Sequence, residues 1–176
     1  VKPSPQLNIT YFMQRDVFAD DPLTEDVVEP VVPAEFSVLI NNVGYGDATN
    51  VQITTSQPRI IENSRGLYID FKLLSSQLNG KDKVMALDSS VVTSIGTIPA
   101  KTDVYAQWML TSSLLGHFYA YKVEATHVTS YGNPDLSLLG DVTIHELIRS
   151  VRTKGNIAFL VNDENDAFAT PDRMYF

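Results

Sequence analysis

Three histidines are the first candidates for chemistry, and His145 opens the stretch HELIR. A zinc-protease helix carries two histidines one turn apart, but Arg149 stands where the second is needed, so this stretch predicts no metal site. His117 and His127 lie ten residues apart on what reads as one long strand, too far apart to share a metal ion unless the strand is broken between them. The absence of cysteine excludes disulfides, thiolate metal sites and a Cys nucleophile. No compact Ser, His and Asp grouping occurs, and a catalytic triad is not predicted.

Acidic residues form the second candidate site, in RDVFADDPLTEDVVEP. Oxygen ligands at short spacing suit calcium, which takes six to eight of them. The residues that would supply a calcium site are Asp16, Asp20, Asp21, Glu25 and Asp26. The run lacks the spacing and central glycine of a helix-loop-helix calcium site, so a solvated acidic loop is the alternative. Paired carboxylates could also serve a glycosidase, if two of them faced each other across a cleft.

The glycine pair in NNVGYGDATN raises a third possibility, a phosphate-binding loop. Thr49 occupies the place of the third glycine of a dinucleotide fingerprint, and a strand-like run rather than a helix follows. We therefore predict a turn in which Gly44 and Gly46 adopt positive φ and join two antiparallel neighbouring strands. Three asparagines are expected to bond backbone groups at its rim: Asn41, Asn42 and Asn50.

Aromatic residues divide into core and contact candidates. Trp108 shares the apolar parity of its strand and is predicted to lie in the core. Tyr45 and Tyr131 stand in loops, where an exposed ring could stack on a sugar or contact a partner. Asn8 begins the sequence's glycosylation sequon, which matters if the source secretes through a glycosylating pathway.

Apolar residues alternate with polar ones along most of the chain, as in half-buried strands. Examples are 7–11, 36–40, 51–53, 67–73, 104–110 and 119–125. The segment 142–151 fits a helix or a strand, and a strand is favoured because it agrees with its surroundings. The pattern predicts an all-β protein, an antiparallel β-sandwich.

Composition narrows the function. The net charge is −8 and the 13 Lys and Arg residues are scattered, so no nucleic-acid partner is expected. No apolar run is long enough to span a bilayer, so membrane insertion is not expected. The chain begins at Val1 rather than Met, which is expected of a processed product or a piece of a longer protein.

The segment FSVLINNVGYGDATNVQIT resembles a pattern of immunoglobulin-like modules of the bacterial cell-adhesion-related (CARDB-like) type. In this resemblance Asn42 precedes the glycine pair Gly44 and Gly46, and Ala48 and Asn50 take the small and Asn positions. GTIPAKTDVYAQWMLT is similar to a later strand entry of the same modules. Such modules are near 100 residues, so the resemblance implies an elaborated immunoglobulin-like β-sandwich. We assign it to residues 1–160, with 161–176 as an acidic C-terminal extension or linker to a following domain.

The resemblance implies a non-catalytic structural or adhesive module of a larger extracellular or surface protein. It would contact neighbouring domains of the same chain and a protein or glycan partner, without a cofactor other than calcium. The alternative is a carbohydrate-binding or accessory domain of a glycoside-active enzyme.

Overall fold

The protein is all-β in the part that our computed structural model describes, residues 3–14, 16–21, 23–55, 59–60, 71–83, 92–120, 123–127, 139–163 and 170–176. No helix occurs in these ranges, which confirms the predicted fold class. The strands are β1 (Leu7–Met13), β2 (Asp16–Val17), β3 (Ala34–Asn42), β4 (Ala48–Thr55), β5 (Arg59–Ile60), β6 (Phe71–Leu78), β7 (Lys81–Asp82), β8 (Val92–Ile98), β9 (Asp103–Ser112), β10 (Gly116–Ala120), β11 (Val123–His127), β12 (Leu139–Thr153), β13 (Asn156–Val161) and β14 (Arg173–Tyr175).

The largest sheet has eight strands in the order β14-β13-β12-β1-β3-β9-β6-β7. All its pairs are antiparallel except β1 with β12, which is parallel. Two sheets of three strands, β2-β10-β5 and β11-β4-β8, complete the described structure. The segment 142–151 lies within β12, so the choice of strand over helix is confirmed. The predicted run 67–73 is described only from residue 71.

One core lies between the eight-stranded sheet and the sheet that contains β4. Even positions of β3 and β9 point into it, because alternate residues of a strand share a face. Trp108 is fully buried there, with its ring 5.3 Å from that of Phe36, as predicted. Ala48, Val51 and Ile98 face them from β4 and β8. This arrangement is consistent with a β-sandwich; an immunoglobulin-like topology stays a prediction.

A second core lies on the opposite face of β1 and β3, because the sheet curls over itself. The β12–β13 hairpin brings Leu147 and Phe159 onto Phe12 and Leu39. The rings of Phe12 and Phe159 stack with their centroids 4.2 Å apart. The short strand β14 pairs with β13, so residues 173–175 form one edge of the sheet. The predicted domain division at residue 160 stays a prediction.

Two predictions about connections were wrong. β3 and β4 are not antiparallel neighbours, since β3 pairs with β1 and β9 whereas β4 pairs with β8 and β11 in another sheet. The glycine segment therefore crosses from one sheet to the other. The long strand expected from His117 to His127 is two strands, β10 and β11, which lie in different sheets.

Candidate functional site

The connection between β2 and β3 carries the largest group of exposed large apolar side chains in the described structure. Sixteen such side chains are exposed across the described residues, and six of them belong to this connection: Phe18, Leu23, Val27, Val28, Val31 and Val32. Val28 is the most exposed, at 86%. We call residues 18–32 the valine loop. Contiguous exposed apolar groups on a soluble protein commonly mark a binding surface, whereas isolated ones are ordinary.

Hydrogen bonds within the valine loop hold its backbone in place. The Glu29 carboxylate accepts the backbone N–H of Asp21 (3.0 Å) and the hydroxyl of Thr24 (2.7 Å). These bonds lower the pKa of the Glu29 carboxyl from its usual value, the Asp21 N–H contributing most. Asp20 accepts the N–H of Glu29 (3.2 Å), and the N–H of Val32 donates to the Phe18 carbonyl (2.9 Å) at the base of the loop.

Buried residues anchor the valine loop to the rest of the fold. Val17 and Ala19, on either side of exposed Phe18, are 1% and 3% exposed, and Val17 belongs to the first core. The backbone N–H of Leu115 donates to the Asp20 carbonyl (3.2 Å). Because both its base and its interior are held, the loop presents its valines on a defined backbone rather than on a free tail.

The predicted calcium ligands belong to this same region. Asp20 and Asp21 accept backbone N–H groups inside the loop, and Glu25 and Asp26 are exposed. Asp16 lies in β2, where its backbone pairs with that of His117. Across the described ranges, no group of three or more His, Cys, Asp or Glu side chains is arranged to hold a metal ion. The calcium site therefore stays a prediction.

In residues 41–50, which we call the glycine loop, the backbone conformation of the two glycines differs from the predicted one. The positive-φ glycines of the described chain are Gly80, Gly96 and Gly155, so the prediction for Gly44 and Gly46 was wrong. Both instead touch residues 3–6. A Cβ added to Gly44 would clash with the Gln6 backbone nitrogen, and one added to Gly46 would lie 2.6 Å from the Pro3 carbonyl oxygen. Close approach of two backbone segments requires these glycines.

Asn42 joins the segments that meet at the glycine loop, and its side chain is buried (1% exposed). Its Oδ1 accepts the N–H groups of Gly44 (3.1 Å) and Gln6 (3.2 Å). Its Nδ2 donates to the carbonyls of Gly46 (2.9 Å), Ile98 (3.1 Å) and Pro99 (3.2 Å). The expectation that this asparagine bonds backbone groups is confirmed, and its partners reach well beyond the loop.

The predicted contact residue Tyr45 lies on the surface of the glycine loop and is 78% exposed. The ammonium of Lys101 lies 3.8 Å from its ring centroid, a cation–π contact. Lys101 also lines an open cleft of about 320 Å³, together with Asn41, Asn42, Val43, Thr102, Asp103 and Phe176. An aromatic ring beside amide, hydroxyl and charged groups is suited to a sugar. Tyr131, the other predicted contact residue, lies outside the described residues.

His145 contacts a carboxylate rather than another histidine. Its Nδ1 lies 2.6 Å from Oδ2 of Asp163, and its ring centroid lies 4.5 Å from that of Tyr175. Asp163 also accepts the backbone N–H of Glu146 (3.2 Å). A carboxylate on Nδ1 fixes the orientation of an imidazole, as in a triad. Here the pair connects β12, which contains His145, to Asp163 just after the end of β13.

A polar network beneath the β12–β13 hairpin was missed from the sequence. Glu35 accepts the hydroxyls of Ser37 and Ser150 and the side-chain amide of Gln107, each at 2.7 Å. Arg152 donates to the Gln107 side-chain carbonyl (2.7 Å). Ser37 and Gln107 are buried, so the network supplies the hydrogen bonds that buried polar groups require. Polar residues at the odd positions of β3 were the available signal.

The exposure of the valines was not predicted from the sequence, in which the acidic residues beside them were predicted to be the candidate site. The signal was present as VVEPVV, two pairs of β-branched residues interrupted by Glu29 and Pro30. Apolar pairs next to proline read equally well as a buried strand entry, and only the three-dimensional structure separates the two readings.

Comparisons of the chain with protein-family models, with characterised proteins and with solved structures found no match. The likeness of the glycine segment to adhesion-related modules therefore stays a resemblance. Within the part of the chain that the structure describes, no helix is long and apolar enough to cross a membrane.

Proposed function

We propose that this chain is a non-catalytic binding module of a larger extracellular or surface protein, and that it acts by protein contact. The observation that carries the proposal is the valine loop. Six large apolar side chains are exposed on one loop whose backbone is held by hydrogen bonds. A pre-ordered apolar surface binds with a smaller loss of conformational entropy than a flexible one. The resemblance to adhesion-related modules supports the extracellular setting.

A second candidate function is glycan binding, the alternative drawn from the sequence. The exposed ring of Tyr45 beside the cleft at Lys101 and Asp103 favours it. Lys101 already lies over one face of this ring, so a sugar would stack on the other face. We rank this candidate second because the ring is a single exposed aromatic, whereas the valine loop exposes six apolar side chains within fifteen consecutive residues.

The two candidates are separated by one binding survey. The purified chain is applied to immobilised extracellular-matrix proteins and to a glycan array, as wild type, as Val27→Ser/Val28→Ser and as Tyr45→Ala. Protein contact predicts binding to a protein surface that the valine variant loses and the tyrosine variant keeps. Glycan binding predicts binding to the array that the tyrosine variant loses and the valine variant keeps.

Catalytic activity of the purified chain would contradict the proposal. Hydrolysis of a glycoside or polysaccharide by the purified chain would overturn the non-catalytic proposal, if a single carboxylate substitution abolished it and left folding intact. Binding that neither variant alters would show that the contact surface lies elsewhere on the chain.

A further inference from the structure

The charge of the valine loop restricts what can dock on its apolar side chains. Residues 18–32 include five acidic residues and no Lys or Arg. Glu25 and Asp26 are exposed, and they come directly before Val27 and Val28 in the chain. A partner that covers these valines must therefore approach carboxylates at distances within the ~8 Å Debye length of physiological salt.

The acids of the loop divide into two groups with different roles. Asp20, Asp21 and Glu29 accept hydrogen bonds from loop backbone groups and maintain its shape. Glu25 and Asp26 lie at the turn before the valines, where Asp26 has a φ of 67°. The first group is engaged inside the loop, so the second group is the one that a partner meets at the apolar tip.

Charge also weighs against other occupants. Two copies of this chain that met loop to loop would bring together two loops with five acidic residues each, in a chain whose net charge is already −8. Like charges placed opposite each other disfavour such a pairing. Nucleic acids and anionic lipid surfaces are repelled for the same reason.

We propose that the valine loop docks into an apolar groove of a partner protein whose rim carries Lys or Arg. This inference rests on the proposed function as a contact module and names the chemistry of its partner. Val27 and Val28 enter the groove, where their burial supplies the hydrophobic free energy. Glu25 and Asp26 face the basic rim, which fixes the orientation and accelerates association. The bonds to Glu29 hold the loop in its binding shape before contact.

The test uses defined peptides as probes. The first is an αα-hairpin peptide whose two helices, each of about four turns, form a groove lined by Leu with Lys along both rims. The second has the same Leu-lined groove and Glu in place of every Lys. Each is labelled and titrated with the purified chain, and binding is followed by fluorescence anisotropy. We expect the Lys peptide to bind, and the Glu peptide to bind at least about tenfold more weakly, because like charges oppose it.

Matched variants locate the binding surface. Val27→Ser/Val28→Ser is expected to weaken binding of the Lys peptide about tenfold, a typical loss when central apolar contacts are truncated. Its control is Val142→Ser/Ile144→Ser on β12, where the exposure of 54% and 52% is close to the 58% of Val27. The control should bind as the wild type does.

A second pair of variants tests the charge. Glu25→Gln/Asp26→Asn and its control Asp82→Asn/Asp141→Asn both remove two exposed carboxylates, so their net charges are equal. Only the loop pair should weaken the Lys peptide, and the loss should shrink as salt rises from about 0.1 M to about 1 M, where the Debye length falls from ~10 Å to ~3 Å.

Several results would overturn this inference. Equal binding of both peptides, equal losses in loop and control variants, or no binding of the Lys peptide would each show that a basic-rimmed groove is the wrong partner. Binding to phosphatidylcholine vesicles that depends on Val27 and Val28 would assign the loop to a lipid surface instead. If the matrix-protein survey still showed binding that needs these valines, the contact function would stand and only the partner chemistry would be wrong.

Discussion

Replacement of Asn42 by Asp tests the account of the glycine loop most directly. The two side chains have the same shape, but aspartate exchanges the donor Nδ2 for a second oxygen. That oxygen would face the carbonyls of Gly46, Ile98 and Pro99, at the 2.9 to 3.2 Å now spanned by hydrogen bonds. The other oxygen could still accept from Gly44 and Gln6.

The expected loss follows from what each variant leaves unpaired. Asn42→Ala abandons two N–H groups and three carbonyls, and each buried polar group left unpaired costs about 1 to 3 kcal/mol. Some of these groups can reach water, so we expect Asn42→Ala to lower the free energy of unfolding by about 3 to 4 kcal/mol. Asn42→Asp should cost at least as much at neutral pH, because it adds a buried charge against carbonyl oxygens.

The Asp variant should also respond to pH. Its carbonyl surroundings and burial would raise the pKa of the new carboxyl in the folded state above the unfolded value of about 3.9. The folded state then binds more protons than the unfolded state between these two pKa values, so stability falls as pH rises through that window. Below it, the protonated carboxyl can donate to a carbonyl, and part of the loss should be recovered.

Stability is measured by urea denaturation at about pH 7 and about pH 4.5, two values chosen to bracket the raised pKa. The proteins compared are the wild type, Asn42→Ala, Asn42→Asp and Asn50→Asp. Asn50 is exposed, so Asn50→Asp adds the same charge at a site where it should change stability by less than about 0.5 kcal/mol. The reasoning is refuted if Asn42→Asp is as stable as Asn50→Asp at neutral pH, or if acidification does not restore it relative to the wild type.

Three further predictions concern the core, two glycine positions and the valine loop. Trp108→Ala should destabilise by roughly 3 to 5 kcal/mol, since Trp108 is fully buried; an unchanged melting temperature would place it on the surface. Gly44→Asn should lower the melting temperature as much as Gly44→Ala does, because the clash is with backbone atoms. Gly155→Asn should lower it less than Gly155→Val, because Asn tolerates the positive φ of 94° better. Calorimetry of the four variants measures these melting temperatures. Glu29→Ala should expose the valine loop to limited proteolysis, and an unchanged cleavage rate would contradict the role of its bonds to Asp21. Because the pKa of Glu29 is lowered in the folded protein, its contribution is present above the unfolded pKa and is lost as pH falls through the folded pKa, so wild-type cleavage should increase only in that acidic range.

Local alternation along the chain was sufficient to predict the all-β class, the strand at 142–151 and the burial of Trp108. These features depend on which face of a strand each residue occupies, and that is a property of neighbouring positions. The missing second histidine in HELIR was likewise readable from spacing alone. The prediction that the strands before and after the glycine pair are spatial neighbours was wrong, since β3 and β4 lie in different sheets.

The tertiary structure decided which distant segments meet, and with that the candidate site. Residues 3–6 lie against Gly44 and Gly46, and no local sequence pattern predicts that contact. From local sequence alone, the same two glycines were explained by positive φ. The sequence of the valine loop likewise contains apolar and acidic residues without saying which face water. Only folding, with Val17 and Ala19 buried and Glu29 bonded to Asp21, leaves the valines exposed. Exposure is a property of the whole packed chain, since a side chain stays in water when no distant segment covers it.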